Sequence, residues 1–184
     1  MVRRWSLIVF CYFLLSGCSA AGVQRNRSVD NLPPPVGESV YVIPFLAVMV
    51  PSAIETGILD RLVDTLNRDA QLTGRELIIL KRTPAEIDAA WLASHYYIGG
   101  ELFGFVRDSG CCSTEMRLKA RLAYYQPGKT QPTLTLAVKR EAFFDHDSST
   151  LAGEEERLIN DVVTAFTDEL LLFLTPSEKN PAVE

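Results

Sequence analysis

The sequence predicts an α/β domain of α+β-like character: a single mixed five-stranded sheet, with elements in the order β-α-β-α-β-β-β-α and helices mainly on one face. Three observations predict it. Two short β-branched runs each precede a segment with helical apolar spacing, as βα units do. Three strand patterns then follow with only turn signals between them, which reads as a meander. A long amphipathic stretch closes the pattern. Three helical segments cannot cover both sides of five strands, so the second face is expected to be solvated or paired.

The first strand is Ser39-Val40-Tyr41-Val42-Ile43-Pro44-Phe45, rich in strand formers, with Pro44 suited to a strand end or sheet edge. Ser52-Ala53-Ile54-Glu55 fits a capping box. Ile54, Ile58, Leu59, Leu62, Val63 and Leu66 follow at helical spacing, to about Ala70, with Gly74 in the exit turn. Glu76 to Leu80 is a short buried strand. Thr83-Pro84-Ala85-Glu86 reads as a second capping box, opening a helix with Ile87, Ala90 and Trp91 that ends near Ser94.

Tyr96 to Val106 is the first meander strand, with a bulge expected at Gly99-Gly100. From Glu115 to Tyr125, Met116, Leu118, Ala120, Leu122 and Tyr124 share one face, and Arg117, Lys119 and Arg121 the other. Gln126-Pro127-Gly128-Lys129 is a turn. Thr133 to Phe144 alternates again, with Leu134, Leu136 and Val138 inward. After Ser148-Ser149-Thr150 the last helix carries Leu158, Val162, Phe166 and Leu170 in one row, widened by Ile159, Val163 and Phe173. Pro176 ends it, and residues 176–184 form a C-terminal tail.

The amino terminus sets the compartment. Arg3 and Arg4 precede an apolar run from Trp5 to Leu15, interrupted only by Ser6. This is the length of a secretory core, roughly 7–15 residues, and short of the roughly 20 that span a bilayer. Leu15-Ser16-Gly17-Cys18 follows and resembles the lipobox of bacterial lipoproteins. That resemblance implies a signal peptide at 1–17, cleavage before Cys18, and lipidation of Cys18 with diacylglycerol and then an acyl chain such as palmitate. Ser19, rather than aspartate, implies an outer-membrane location facing the periplasm. Residues 18–38, rich in Pro, Gly, Ser and Asn, read as a lipid-anchored flexible linker ahead of a periplasmic α/β domain at 39–175.

The formal charge is −5 over 184 residues. Losing the first 17, which hold two arginines and no acids, makes it −7, so no nucleic-acid partner is expected. Four cysteines occur; with Cys11 in the signal and Cys18 lipidated, only Cys111 and Cys112 remain. An adjacent pair builds no disulfide framework. It could link subunits, form a strained vicinal bridge, or stay as free thiols.

The layout behind a lipobox resembles a group of periplasmic α/β domains. The group includes the curli secretion channel lipoprotein, the lipoprotein activator of penicillin-binding proteins, the amino-terminal domain of the Tol-Pal propeller protein and the Pel polysaccharide secretion lipoprotein. The matching stretches are Val40 to Phe45, Ala93 to Phe105 and the paired strands from Ala120 to Val138, within about residues 39–174. The resemblance implies a non-enzymatic accessory or assembly subunit of an envelope secretion or biogenesis system. The alternative is an activator or adaptor docking on a peptidoglycan synthase or an ABC-type transporter; a small hydrolase or metal-binding protein ranks below both. The loop 107–114 is too short for the membrane hairpins of the curli channel.

No site chemistry competes with this reading. His95 lies between a helix end and a strand, and His146 sits between Asp145 and Asp147 on a loop, where adjacent side chains rarely converge on one ion. No nucleophile elbow, P-loop or dinucleotide fingerprint occurs. Neither enzyme activity, nor metal, nor cofactor is expected. Two surfaces stand out as a candidate interface. One is basic: Arg117, Lys119, Arg121 and Lys139. The other is aromatic: Tyr97, Phe103 and Phe105, assigned to one side of their strand. Together they predict self-association, or docking of an envelope-machine protein, through the uncovered sheet face. Leu170 to Leu174, apolar all round, is either a buried helix end or a subunit contact.

Overall fold

The computed structural model describes residues 22–27, 33–82 and 84–175. The signal peptide, Cys18 and the tail from residue 176 lie outside them. The sheet has seven strands rather than five: β1 Gln24–Arg27, β2 Ser39–Val42, β3 Leu46–Val48, β4 Glu76–Ile79, β5 Tyr96–Ser109, β6 Ser113–Tyr125 and β7 Leu134–Asp145. Across the sheet they run β1-β7-β6-β5-β2-β4, with β3 pairing β5 beyond the end of β2. β2, β3 and β4 join by parallel pairing, and the other neighbours are antiparallel. The sheet is therefore mixed, as the pattern predicts.

Both extra strands have identifiable causes. Val42 faces Ile98 and Leu46 faces Glu101, so four steps along one chain match three along the other. Pro44 cannot donate to the ladder, and the apolar run breaks there into β2 and β3. The other addition, β1, lies inside the stretch expected to be a linker. It pairs with β7 from Gln24 opposite Ala137 to Arg27 opposite Leu134. Arg25 reaches Glu169 at 2.8 Å, and Arg27 sits 5.6 Å from the Phe173 ring centre. Side-chain partners on the last helix thus hold a polar tetrapeptide that shows no strand pattern of its own.

Two long helices, α1 (Ser52–Thr73) and α3 (Leu151–Leu174), pack on one face. Ile54, Ile58, Leu62 and Leu66 of α1 are buried at i, i+4 spacing, and so are Leu158, Val162, Phe166 and Leu170 of α3. They meet Met116, Leu118, Leu122, Leu134 and Leu136 of the sheet in one core. The helix end at Leu170, Phe173 and Leu174 is buried, with Leu172 alone pointing out.

Capping differs from the sequence pattern. Pro51, not Ser52, stands at the N-cap of α1, and its carbonyl accepts from Ile54 and Glu55 at 3.0 and 3.1 Å. The second helical segment is split. A 3-10 turn, Pro84–Glu86, precedes α2 (Ala89–Ala93), because the Asp88 carboxylate caps the later start by accepting from the Trp91 amide at 2.8 Å. Thr150 caps α3, accepting from Gly153.

The short α2 lies on the other face of the sheet. Its Trp91 stands edge-on to Tyr41, 4.7 Å between ring centres. The two crossovers, β2 to β4 and β4 to β5, travel in opposite directions, and right-handedness then sends their helices to opposite sides. No helix among the described residues is long and apolar enough to cross a membrane.

Candidate functional site

The face opposite α1 and α3 is where the sequence places its interface, and the meander pairing decides which side chains share it. Tyr97 faces Tyr125, Glu101 faces Arg121, and Phe103 faces Lys119. Lys119 in turn faces Lys139, and Arg117 faces Glu141. Tyr97, Phe103, Arg117, Lys119, Arg121 and Lys139 therefore do come together on one surface.

Phe105 does not join them. The register between β5 and β6 shifts between Phe103 and Val106, and Gly104 at the shift has φ +64°. The bulge lies there rather than at Gly99-Gly100. One extra residue reverses the alternation. Phe105 turns onto the helix-covered core, Val106 takes the open face, and Arg107 reaches Glu155 of α3 at 3.2 Å.

The basic stripe is also less basic than its sequence. Arg117 pairs with Glu115 at 3.3 Å, Arg121 with Glu101 at 3.2 Å, and Lys139 with Glu141 at 2.7 Å. Such exposed pairs add little stability, but they neutralise the surface. The Lys139 hydrogen bond and charge hold the Glu141 carboxyl below its ordinary value. The result is a face of nearly balanced charge crossed by aromatic rings. Arg121 lies 5.7 Å from the Phe103 ring centre, and Tyr97 and Tyr125 stack at 4.5 Å.

Beside the stacked tyrosines is a cleft of about 500 Å³. Gly99, Ala123 and Thr135 keep its floor low; Ile43, Pro44, Leu46 and Leu92 wall it; Glu101 and Arg121 supply the charge. Burial raises the Tyr97 phenol, helped by Tyr125, and raises Tyr125, helped by Glu101 and opposed by Arg121. Sequence reasoning missed Tyr125, Glu101 and Leu92 here. The parity of β6 contained Tyr125, which is in phase with Arg121, but nothing local marked α2 as covering this face.

The other candidates sit apart. His95 stacks on Trp91 at 4.1 Å, and its Nδ1 lies 2.7 Å from the Trp91 carbonyl and 2.9 Å from the Ser94 hydroxyl. His146 Nε2 contacts the Thr114 hydroxyl at 2.9 Å. Among the described residues no group of three or more His, Cys, Asp or Glu side chains could hold a metal ion. Cys111 and Cys112 are exposed free thiols at the β5–β6 hairpin tip with sulfurs 3.1 Å apart, and the Cys111 contact raises the Cys112 thiol.

No protein-family model matches the chain, and no curated protein matches it. Solved structures do. The PelC dodecamer from Paraburkholderia phytofirmans aligns with TM-score 0.51 and 14% identity, over 78% of this chain and 95% of that one. The fold is similar to that of PelC. Lipoprotein GNA1162 from Neisseria meningitidis aligns with TM-score 0.47 and 10% identity over 72% and 97% of the two chains. Protein XCC0632 from Xanthomonas campestris aligns with TM-score 0.44 and 13% identity over 80% and 93%. The likeness to PelC agrees with the group that the sequence resembles, and places the long-helix layer and the mixed sheet in a known arrangement.

Proposed function

We propose that the protein is an outer-membrane lipoprotein, anchored through Cys18 and facing the periplasm. Its domain acts as a non-catalytic accessory or assembly subunit of an envelope secretion or biogenesis system, and it self-associates through the open sheet face. The observation that carries this reading is the coincidence of Leu15-Ser16-Gly17-Cys18 after an export core with the PelC fold behind it. PelC is itself a dodecamer. The open face offers what a subunit contact uses: Tyr97, Tyr125, Phe103 and arginines with their charges already paired, so covering them strands no charge. Anchoring in one leaflet raises the effective concentration of copies and favours weak contacts.

The test has three parts. Cys18→Ser should abolish palmitate labelling and release the protein from the membrane fraction; retained label sinks the anchor. Crosslinking in membranes should give oligomers that Phe103→Glu with Tyr125→Glu weakens, with and without reductant. Dissociation by reductant alone would move the contact to Cys111 and Cys112. Crosslinked partners identified by mass spectrometry should belong to envelope machinery. Turnover of a substrate by purified protein, with no such partner recovered, overturns the accessory role.

A further inference from the structure

We propose that Cys111 and Cys112 are a reversible redox site. A donor disulfide closes them into an internal vicinal bridge at the tip of the β5–β6 hairpin, and a thiol reductant opens it again. That the pair meets an oxidant in the cell rests on the periplasmic location proposed above; the chemistry of the pair does not.

The hairpin gathers the two sulfurs. Adjacent residues of a strand point to opposite faces, which would part them. Here β5 stops at Ser109 and β6 starts at Ser113, so both cysteines stand in the turn between. The Gly110 amide donates to the Ser113 carbonyl at 2.9 Å and closes that turn. The His146 amide donates to the Cys112 carbonyl at 2.8 Å and pins it just past the end of β7, where Ser113 also pairs with Asp145. With the backbone fixed at both points, the sulfurs lie 3.1 Å apart, and both residues are exposed. The pair is thus already assembled and open to a donor in solution.

The reaction needs only a disulfide as oxidant. One protein thiol gives its proton to water and attacks a sulfur of the donor; the donor S–S bond breaks and one donor thiolate leaves. The second protein thiol then loses its proton and attacks the first. The Cys111–Cys112 bond forms, and the other donor thiolate leaves. The donor gains two electrons, takes up the two protons and becomes two thiols. The second step is intramolecular, between sulfurs already in contact, so it outruns capture of a thiol on another copy. The bridge also stays labile. Consecutive Cα atoms across a trans peptide lie about 3.8 Å apart, below the roughly 4.4–6.8 Å that disulfides prefer. Strained and exposed disulfides are the easily reduced ones. The pair therefore follows the redox poise around it instead of stapling the fold.

The test uses the full chain, extracted from membranes under reductant and then freed of it, with oxidised glutathione as donor and reduced glutathione as reductant. Free thiols are alkylated with N-ethylmaleimide, and trypsin releases the peptide from Asp108 to Arg117, which holds both cysteines. Its mass is the readout. The expected result after oxidation is a single peptide two hydrogens lighter with no alkyl group, which takes two alkyl groups after excess reduced glutathione. Cys112→Ser, left with one thiol at the tip, should instead hold a glutathione; a bare thiol there means that the donor does not reach the tip, and overturns the site. Two alkyl groups after oxidation, two bound glutathiones, or a peptide joined to that of a second copy overturn it as well. A bridge that resists reduced glutathione overturns its reversibility. The anchor is scored separately in the same sample: alkylation at Cys11 or Cys18 sinks the lipoprotein reading and leaves the hairpin result standing.

Discussion

The ring of Phe45 fills the space that a side chain at Gly100 would occupy: a Cβ there would stand 1.9 Å from Cε1 and 2.0 Å from Cδ1. Phe45 lies where three residues, 43 to 45, face two, 99 and 100. On the other side of the sheet Ile43 covers Gly99, 3.1 Å from a Cβ there. The glycine pair is thus a close approach, not a bulge. Gly100→Ala is expected to cost about 2–3 kcal/mol by overpacking, and Phe45→Ala about 3–5 kcal/mol by leaving a cavity against Phe166. The double variant should lose less than the sum by at least about 1 kcal/mol. Urea unfolding of the four proteins measures the cycle, and additivity would refute the contact.

Arg75 ties the start of the domain to its end. It is buried, donates from Nε to the Pro34 carbonyl at 2.8 Å, and donates to the Leu174 carbonyl at the end of α3. Burial lowers its pKa, yet the guanidinium remains charged at the C-terminal pole of a helix, where a cation is favoured. Arg75→Met should cost about 2–3 kcal/mol, since charged hydrogen bonds are lost and two carbonyls lose a donor. Arg75→Lys should recover part of that, because lysine keeps the charge without the planar fork. Limited proteolysis should cut between residues 22 and 38 faster in Arg75→Met; unchanged cutting would leave Arg75 without this role.

Alkaline pH should unfold the sheet through its tyrosines. Burial raises Tyr97, Tyr124 and Tyr125 above the ordinary value of 10.0, most strongly Tyr124, which also feels Tyr96. A raised folded pKa favours the neutral phenol. Their contribution to stability is complete below about pH 10 and is lost as pH climbs from there through the folded values. Phenolate absorbance should therefore rise late for these rings, together with loss of near-ultraviolet dichroism. A single wave near pH 10 with the fold intact would contradict it.

At the acid side the sign reverses. Lys139 holds Glu141 below the ordinary 4.5, so the pair stabilises above that pH and stops doing so as pH falls through the lowered value. Lys139→Met should move the Glu141 titration upward, read by carboxyl carbon chemical shifts. No movement would mean that the surface pair is not formed in solution.

The sequence by itself determined the α/β class, the order of the main elements and the core. Period-2 and period-3.6 patterns report which side of a strand or helix is buried, and Met116 to Tyr124 and Ile54 to Leu66 behave as those patterns require. It also placed Tyr97, Phe103 and the basic residues on one surface. Tertiary structure decided much of the rest, through partners distant in sequence. β1 is a strand only because β7 offers an open edge and Glu169 a counter-charge. Arg121 is paired only because Glu101 arrives on the neighbouring strand, whereas Glu115 and Glu141 lie two residues from Arg117 and Lys139 on the same strands. Phe105 faces the core because a bulge at Gly104 adds one residue to an alternation of two. Periodicity fixes a side chain's face only while register is unbroken, and register is a property of the pair of strands.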